Sequence, residues 1–269
     1  MATREDILVE LGLAPTWRHR GSGGALSAPP APVAGSPTEV PTETPLVAAL
    51  NEAAPRAAPV RVDTGDDAVR GARIAALSWA DFATDVDACN ACGLCRTRNK
   101  SVPGMGDVNA GWLFVGEAPG ADEDARGEPF VGQAGRLLDN MLAALGMARG
   151  RNVYIANVLK CRPPNNRTPE PREADACRPY LERQVALIKP KLIVALGKSA
   201  ASRLLDTDAT IASLRGRVHK YRDVPLVVTY HPAYLLRNLP DKVKAWEDML
   251  LARRVYNLRP SAIRPEETC

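Results

Sequence analysis

Four residues in this 269-residue chain are of types that can bind a planar polar ring and assist bond cleavage beside it. Glu117 follows the apolar run WLFVG, Asn157 lies within NVYIANVLK, His231 ends PLVVTYH, and Phe130 is one of only three phenylalanines. An aromatic face stacks on a base, and an asparagine amide both donates and accepts hydrogen bonds along a base edge. A histidine can stabilise charge on a ring oxygen, and a carboxylate can orient water or stabilise a cationic sugar.

The six cysteines predict a metal or cluster site. CNACGLC supplies Cys89, Cys92 and Cys95, and Cys161 and Cys177 follow further along the chain. Four thiolates can bind either a tetrahedral Zn²⁺ or an iron–sulfur cluster, and the spacing leaves both open, with a slight preference for [4Fe–4S]. We expect this site to join the segment before the first strand to the loop after the second. The sixth cysteine, at the end of the sequence, is expected to be free.

Nucleotide-phosphate motifs are incomplete. GEAPG lacks the G-x-G-x-x-G pattern, and GKS at 197–199 has Leu192 where a Walker A motif requires glycine, which argues against an ATPase. GKSAAS nevertheless places Lys198 and Ser199 at a helix N-terminus, where they either bind one backbone phosphate or simply begin the helix.

The segment HPAYLLRN suggests contact with a duplex. Leu235 and Leu236 lie beside Arg237, and an apolar wedge next to a cation is suited to filling an unstacked base step. The alternative is that both leucines begin the apolar face of the last helix.

The elements that must position these residues alternate between strands and helices. Apolar, β-branched runs predict strands at 112–116, 152–160, 191–197 and 225–231, and helical patterns are found at 135–147, 170–189, 198–206 and 241–255. This order predicts an α/β fold with a central parallel sheet and helices on both faces. Ligands of such sheets bind beyond the carboxyl ends of the strands, where the residues named above lie.

The N-terminal part differs in composition. Residues 1–20 predict a short amphipathic helix, which is suited to docking on a protein partner. Residues 21–75, rich in Ala, Pro, Ser, Thr and Gly up to about residue 60, predict a disordered linker. Residues 76–269 are predicted to form the folded domain.

The chain carries a net charge of +4, which weakly favours a polyanionic partner. No apolar run reaches the roughly 20 residues that a membrane span requires, and acidic residues near the start are unlike a signal peptide. We therefore predict a cytoplasmic protein without a membrane partner, and we expect a monomer.

Four motifs, in this order, strongly resemble the family 4 (iron–sulfur) uracil-DNA glycosylases. They are GEAPGADEDARGEPFVGQAG, YIANVLKCRPPNNRTPEPREADACRPYLERQ, ALGKSAA and TYHPAYLLRN, and the resemblance covers about residues 85–255. It implies a three-layer α/β/α sandwich with a central four-stranded parallel sheet. It also implies a [4Fe–4S] cluster bound by Cys89, Cys92, Cys161 and Cys177, with Cys95 outside the ligand set.

The resemblance also implies a role for each motif residue. Glu117 and His231 would be catalytic, the histidine stabilising the departing uracil anion. Phe130 would stack on a flipped uracil and Asn157 would read its polar edge. The remaining implied contacts are with substrate (Ala118, Gly120 and Glu123, the last excluding a 5-methyl group) and with DNA (Lys198, Ser199, Arg237 and the wedge Leu235).

The implied substrate is uracil in single- or double-stranded DNA. Two rival functions are a glycosylase of the same superfamily with broader substrates, such as hypoxanthine, and a non-catalytic DNA-binding module that carries the cluster. Excision assays on uracil and hypoxanthine separate all three.

Overall fold

A computed structural model describes residues 64–258 of the chain. The predicted N-terminal helix, residues 21–63 of the predicted linker and the last cysteine lie outside the described residues. The helices are α1 (Thr64–Ala76), α2 (Trp79–Ala88), α3 (Ala121–Arg126), α4 (Gln133–Ala144), α5 (Pro171–Ile188), α6 (Lys198–Leu205), α7 (Ile211–Leu214), α8 (Pro232–Arg237) and α9 (Lys242–Asn257). Short 3-10 turns are formed by Gly93–Arg96, Pro164–Asn166 and Leu239–Asp241.

The strands form one mixed sheet. They are β1 (Met105–Gly106), β2 (Trp112–Gly116), β3 (Val153–Asn157), β4 (Leu192–Leu196), β5 (Val218–Tyr221) and β6 (Val224–Thr229), in the order β1-β3-β2-β4-β6-β5. The four central strands are parallel, as predicted, and β1 and β5 pair antiparallel with the outer two. The α/β class is therefore confirmed. The predicted sheet, however, did not include the two edge strands β1 and β5. β1 has only two residues and β5 has no fully buried residue, so neither shows the hydrophobic pattern from which a strand is predicted.

Side chains alternate between the two faces of the sheet, as the pleat requires. Leu113 and Val115 of β2 point to a core shared with α1, α2, α5 and α6, whereas Trp112 and Phe114 point to a core shared with α4 and α9. Both cores are built on strands whose residues are all buried, such as β2 and β4. The result is the predicted arrangement of helices on both faces of one sheet.

The predicted domain boundary at residue 76 is wrong. Residues 64–76, assigned to the linker, form α1, which packs against α5 and fully buries Ile74. The preceding residues are rich in Ala and Pro, and for this reason the predicted linker was extended over a helix that has one apolar side.

No helix within 64–258 is both long and apolar enough to cross a membrane.

Candidate active site

The carboxyl ends of the parallel strands open into a cavity of about 480 Å³. The register pairs Gly116 at the end of β2 with Asn157 at the end of β3, so the residues that follow these strands meet at one edge. All predicted catalytic and substrate-binding residues line this cavity, together with Arg237: Glu117, Ala118, Gly120, Glu123, Phe130, Asn157 and His231.

Asn157 carries an unsatisfied buried acceptor. The residue is 1% exposed, and its Oδ1 has no hydrogen-bond partner among residues 64–258. An amide oxygen that is desolvated without a partner costs stability. Because this atom belongs to a cavity-lining residue, a ligand with a hydrogen-bond donor is what would satisfy it.

His231 is a neutral hydrogen-bond donor at the start of α8. Its Nδ1 accepts the backbone N–H of Ala233 at 3.1 Å, so the ring proton of the neutral form is on Nε2. Burial, helped by the positive charge of Arg237 and opposed by Glu123, lowers the pKa of His231 to about 4. At neutral pH the imidazole can therefore donate through Nε2 without carrying a charge of its own.

Glu117 is a carboxylate in a partly buried position between two cavities. Burial raises the pKa of Glu117, and hydrogen bonding by Ser199 opposes the rise. The Glu117 backbone is held by the segment that follows β3, because its carbonyl accepts the N–H of Leu159 at 3.0 Å. The site thus holds an ionisable acid at a defined place beside the neutral histidine.

Phe130 is held in a strained backbone conformation. Its φ is +55°, which is uncommon for a bulky residue, and its ring stacks on that of His231 with 5.5 Å between centroids. The guanidinium of Arg149 binds the carbonyls of Pro129 and Phe130. Gly135 of α4 lies so close that a Cβ there would be 1.7 Å from the Phe130 carbonyl oxygen.

Glu123 ties the same loop to α3. Its carboxylate accepts the backbone N–H groups of Gly120 at 3.0 Å, Val131 at 2.9 Å and Gly132 at 3.1 Å. Although Glu123 lines the cavity, its two carboxylate oxygens are thus engaged with backbone N–H groups that precede and follow Phe130 in the sequence. Its principal contacts position Phe130.

Two predicted DNA-contact residues line a neighbouring cleft of about 630 Å³ that shares Glu117 with the first cavity. Lys198 and Ser199 begin α6 there. A Cβ on the preceding Gly197, whose φ is +94°, would be 2.9 Å from the Cβ of His231. The start of α6 therefore lies directly against the histidine.

The structure does not present Leu235, the predicted wedge, at the surface. Leu235 is 1% exposed and packs with Tyr230 and Ala245. Its neighbour Leu236 is 40% exposed. The helical turn of α8 directs the first leucine into the core and the second outward, which the pair of letters alone does not reveal.

Sequence reasoning missed Arg167 and Tyr234, which also line the main cavity. The guanidinium of Arg167 binds both carboxylate oxygens of Glu173, at 2.9 and 2.6 Å. Tyr234 donates its hydroxyl proton to Asp241 at 2.6 Å. The basic loop RPPNNR was the available signal for the arginine.

The cysteines predicted as ligands come together. Cys89, Cys92, Cys161 and Cys177, with Cys95, are free thiols that line one small cavity of about 10 Å³. Within residues 64–258 no group of three or more Cys, His, Asp or Glu side chains is placed to hold a single metal ion.

Positive groups surround these thiols. Arg98 donates to the sulfur of Cys161 at 2.9 Å and Arg70 of α1 donates to that of Cys89 at 3.5 Å. The buried Lys160 lines the same cavity. Cationic groups beside these sulfurs favour the thiolate form, which is the form that binds a metal ion or an iron–sulfur cluster.

Comparison with known proteins identifies the family. The model of the uracil DNA glycosylase superfamily matches residues 103–250. A protein of Archaeoglobus fulgidus named type-4 uracil-DNA glycosylase is 47% identical over 167 residues, which are 59% of this chain and 83% of that protein. Type-4 uracil-DNA glycosylases of Pyrobaculum aerophilum (46% over 157 residues; 55% and 80% of the chains) and Thermotoga maritima (45% over 161 residues; 59% and 83%) are similarly related.

A type-5 uracil-DNA glycosylase of Pyrobaculum aerophilum is more distant, at 34% identity over 152 residues, 51% of this chain and 67% of that protein. Given the matched superfamily model and the higher identity to the type-4 proteins over most of their length, this chain belongs to the uracil DNA glycosylase superfamily and, within it, to family 4.

Proposed function

We propose that this protein removes uracil from DNA by hydrolysing the N-glycosidic bond of deoxyuridine, which leaves an abasic site. The observation that carries the proposal is the buried, unpartnered Oδ1 of Asn157 in a cavity that also holds a neutral histidine and a carboxylate. Uracil offers an N–H donor beside two carbonyl acceptors. The donor and acceptors on this edge of uracil match the hydrogen-bonding groups of the Asn157 side-chain amide.

Base binding combines stacking and edge recognition. The Phe130 ring offers an apolar face, and base–aromatic stacking contributes about 1–3 kcal/mol. The Asn157 Oδ1 accepts the ring N–H of uracil. A base must leave the duplex to reach these groups, and flipping costs least at a mismatch or in a single strand.

Bond cleavage uses the two ionisable residues. As the bond between C1′ and N1 breaks, its electron pair moves to the uracil ring, and the Nε2–H of His231 donates to the oxygen that gains charge. The carboxylate of Glu117 stabilises the cationic sugar and orients the water that adds to C1′. The proton released by that water neutralises the uracil anion.

The rim supplies the DNA contacts. We assign phosphate binding to Lys198 and Ser199 at the start of α6 and to Arg237 at the end of α8. The exposed Leu236 takes the wedge role that Leu235, being buried, does not fill.

We also propose that the protein carries a [4Fe–4S] cluster bound by Cys89, Cys92, Cys161 and Cys177. Convergent free thiols are the ligands that such clusters use. The guanidiniums on two of the sulfurs favour thiolates and a cluster of net negative charge. When bound, the cluster would cross-link α2, the loop after β3 and α5, the elements that carry these cysteines or adjoin them.

Purified full-length protein incubated with labelled oligonucleotides and then treated with alkali tests the activity. We expect strand cleavage at U·G, U·A and single-stranded uracil. Glu117→Gln and His231→Ala should each lower kcat by about 10²–10⁴-fold. Their matched controls are Glu128→Gln, an exposed acid in the loop between α3 and α4, and His219→Ala on the edge strand β5.

No cleavage at uracil by the wild-type protein would overturn the proposed activity, and cleavage only at hypoxanthine would favour the broader rival. Iron and sulfide analysis of the same preparation tests the cluster independently. A protein isolated with zinc, or with no metal under anaerobic conditions, would contradict the cluster assignment.

The cytoplasmic location, the monomeric state and a protein partner for residues 1–20 stay predictions.

A further inference from the structure

Lys160 is a lysine in the protein core. Its side chain is 1% exposed, and its ammonium donates to the backbone carbonyl of Asn157 at 2.7 Å and to the side-chain oxygen of Gln184. A fully buried ammonium is strongly unfavourable unless another group balances its charge.

The lysine holds one side of the base pocket. Asn157 ends β3, and its carbonyl is one of the two acceptors of the ammonium. The other acceptor, Gln184, is itself fixed, since its amide nitrogen donates to the carbonyl of Pro103 at 2.7 Å and to the hydroxyl of Tyr154 at 3.3 Å. The backbone of Asn157 is thus tied through Lys160 to α5 and to the segment before β1.

The same lysine faces the cysteines. It lines the thiol cavity, and its backbone N–H donates to the sulfur of Cys177 at 3.3 Å. Both acceptors of its ammonium are formally neutral groups, and the cavity that Lys160 lines also holds the sulfurs of Cys161 and Cys177. The counter-charge must therefore come from the thiol side.

We propose that Lys160 is a positioning residue that couples the cluster to base recognition, balancing the negative charge of the thiolate-bound cluster while holding the backbone of Asn157. This inference rests on the proposed uracil excision and on the proposed cluster. Under this proposal the cluster helps to fix the position of Asn157 in the base pocket, in addition to cross-linking the elements that carry the cysteines.

The test compares full-length Lys160→Met and Lys160→Arg with Lys220→Met, a matched change of an exposed lysine on β5. Three quantities are measured on the iron-loaded proteins. They are the midpoint potential of the cluster, the Kd for an oligonucleotide with a non-hydrolysable 2′-fluorinated deoxyuridine, and the Kd for the same oligonucleotide without uracil.

For Lys160→Met we expect a lower midpoint potential, because removing a nearby positive charge disfavours the added electron. We expect the Kd for the uracil-containing strand to rise at least tenfold, the typical effect of losing a charge-assisted buried hydrogen bond, with the Kd for the undamaged strand unchanged. Lys160→Arg should keep the potential closer to that of the wild type while still weakening uracil binding. Lys220→Met should match the wild type in all three.

A wild-type potential and wild-type uracil affinity in Lys160→Met would overturn the coupling even if the wild-type protein excises uracil. Equal weakening for both strands would also overturn it, since the defect would not be in base reading. If the Met variant does not accumulate in folded form, the Arg variant decides: unchanged uracil affinity there contradicts the positioning role. Failure of the wild-type protein to excise uracil would instead overturn the proposed function.

Discussion

At the scale of single residues, the cavity prepares its two ionisable groups in opposite ways. Burial lowers the pKa of His231 to about 4, so the imidazole is neutral, and raises that of Glu117 above its ordinary 4.5. At neutral pH the histidine is thereby kept as an uncharged donor, and the carboxylate becomes protonated at a higher pH than an ordinary glutamate does. This combination suits a reaction in which a positive sugar and a negative base develop side by side.

The pH dependence of kcat follows from these shifts. Glu117 must be ionised to stabilise the sugar, so we expect kcat to fall as the pH drops through the raised pKa, above 4.5, with no step near the ordinary histidine value of 6.5. Ser199→Ala removes the hydrogen bond that opposes the rise in the pKa of Glu117, and should therefore move this acid limb to higher pH. Measuring kcat at saturating substrate separates the effect from any loss of phosphate binding.

A limb that moves to lower pH in Ser199→Ala would contradict this electrostatic role of the serine. In Glu117→Gln, kcat should be much lower than in the wild type and should no longer fall at acid pH. An unchanged acid limb in that variant would show that another group controls it.

At the scale of elements, the Phe130 loop depends on close contact with α4. Gly135→Ala places a Cβ 1.7 Å from the Phe130 carbonyl oxygen, so the loop or the helix must shift. We expect kcat/KM for uracil excision to fall at least tenfold because the stacking ring is displaced, together with a lower unfolding temperature.

Gly71→Ala is the matched control, since this glycine is also helical, in α1, and a Cβ there meets nothing within 4 Å. It should leave kcat/KM unchanged and stabilise the protein by about 0.5–1 kcal/mol. Comparable activity of the two variants would mean that the position of Phe130 is less restricted than its contacts indicate.

The short helix α8 carries one buried leucine and one exposed leucine, to which we assigned the wedge role. Leu236→Ala removes an exposed side chain and should lower excision from duplex DNA while leaving single-stranded uracil unaffected, because only the duplex must be unstacked. Leu235→Ala empties a buried position and should reduce the free energy of unfolding by about 2–5 kcal/mol. Parallel excision assays and denaturant unfolding measure both; a duplex-specific defect in Leu235→Ala would reverse the assignment.

The sequence predicted the site better than it predicted the edges of the fold. Glu117, Asn157 and His231 were correctly brought together because parallel strands end at a common edge. The burial of Leu235 was not predicted, because two adjacent leucines do not specify which one faces the core. Lys160 was overlooked because lysine is rarely buried, and its burial depends on partners from α5 and the cysteine loops that are distant in sequence.

At the scale of the whole molecule, the described unit begins before the part that matches the superfamily model. The model matches residues 103–250, whereas α1 and α2 precede it and contribute Ile74 and Phe82 to the core around the cysteines. Arg70 of α1 also binds the Cys89 sulfur and lies over the ring of Tyr180, with 5.3 Å to its centroid. This helix therefore contacts the cysteine site as well as extending the core, and we expect it to shield that site.

Truncation tests that role. A chain of residues 64–258 should retain the excision rate and the cluster of the full-length protein, because it keeps the contacts of α1 that the structure describes. A chain of residues 77–258 should unfold at a lower temperature and lose its visible cluster absorption faster in air, since Ile74 and Arg70 no longer cover the core and Cys89.

Ile74→Ala in the full-length chain is the matched control for packing alone. It should lower the free energy of unfolding by about 2–5 kcal/mol without removing the guanidinium of Arg70. Equal thermal stability and cluster lifetime for the two truncated chains would place the functional boundary at residue 77 and leave α1 without a role in the cysteine site.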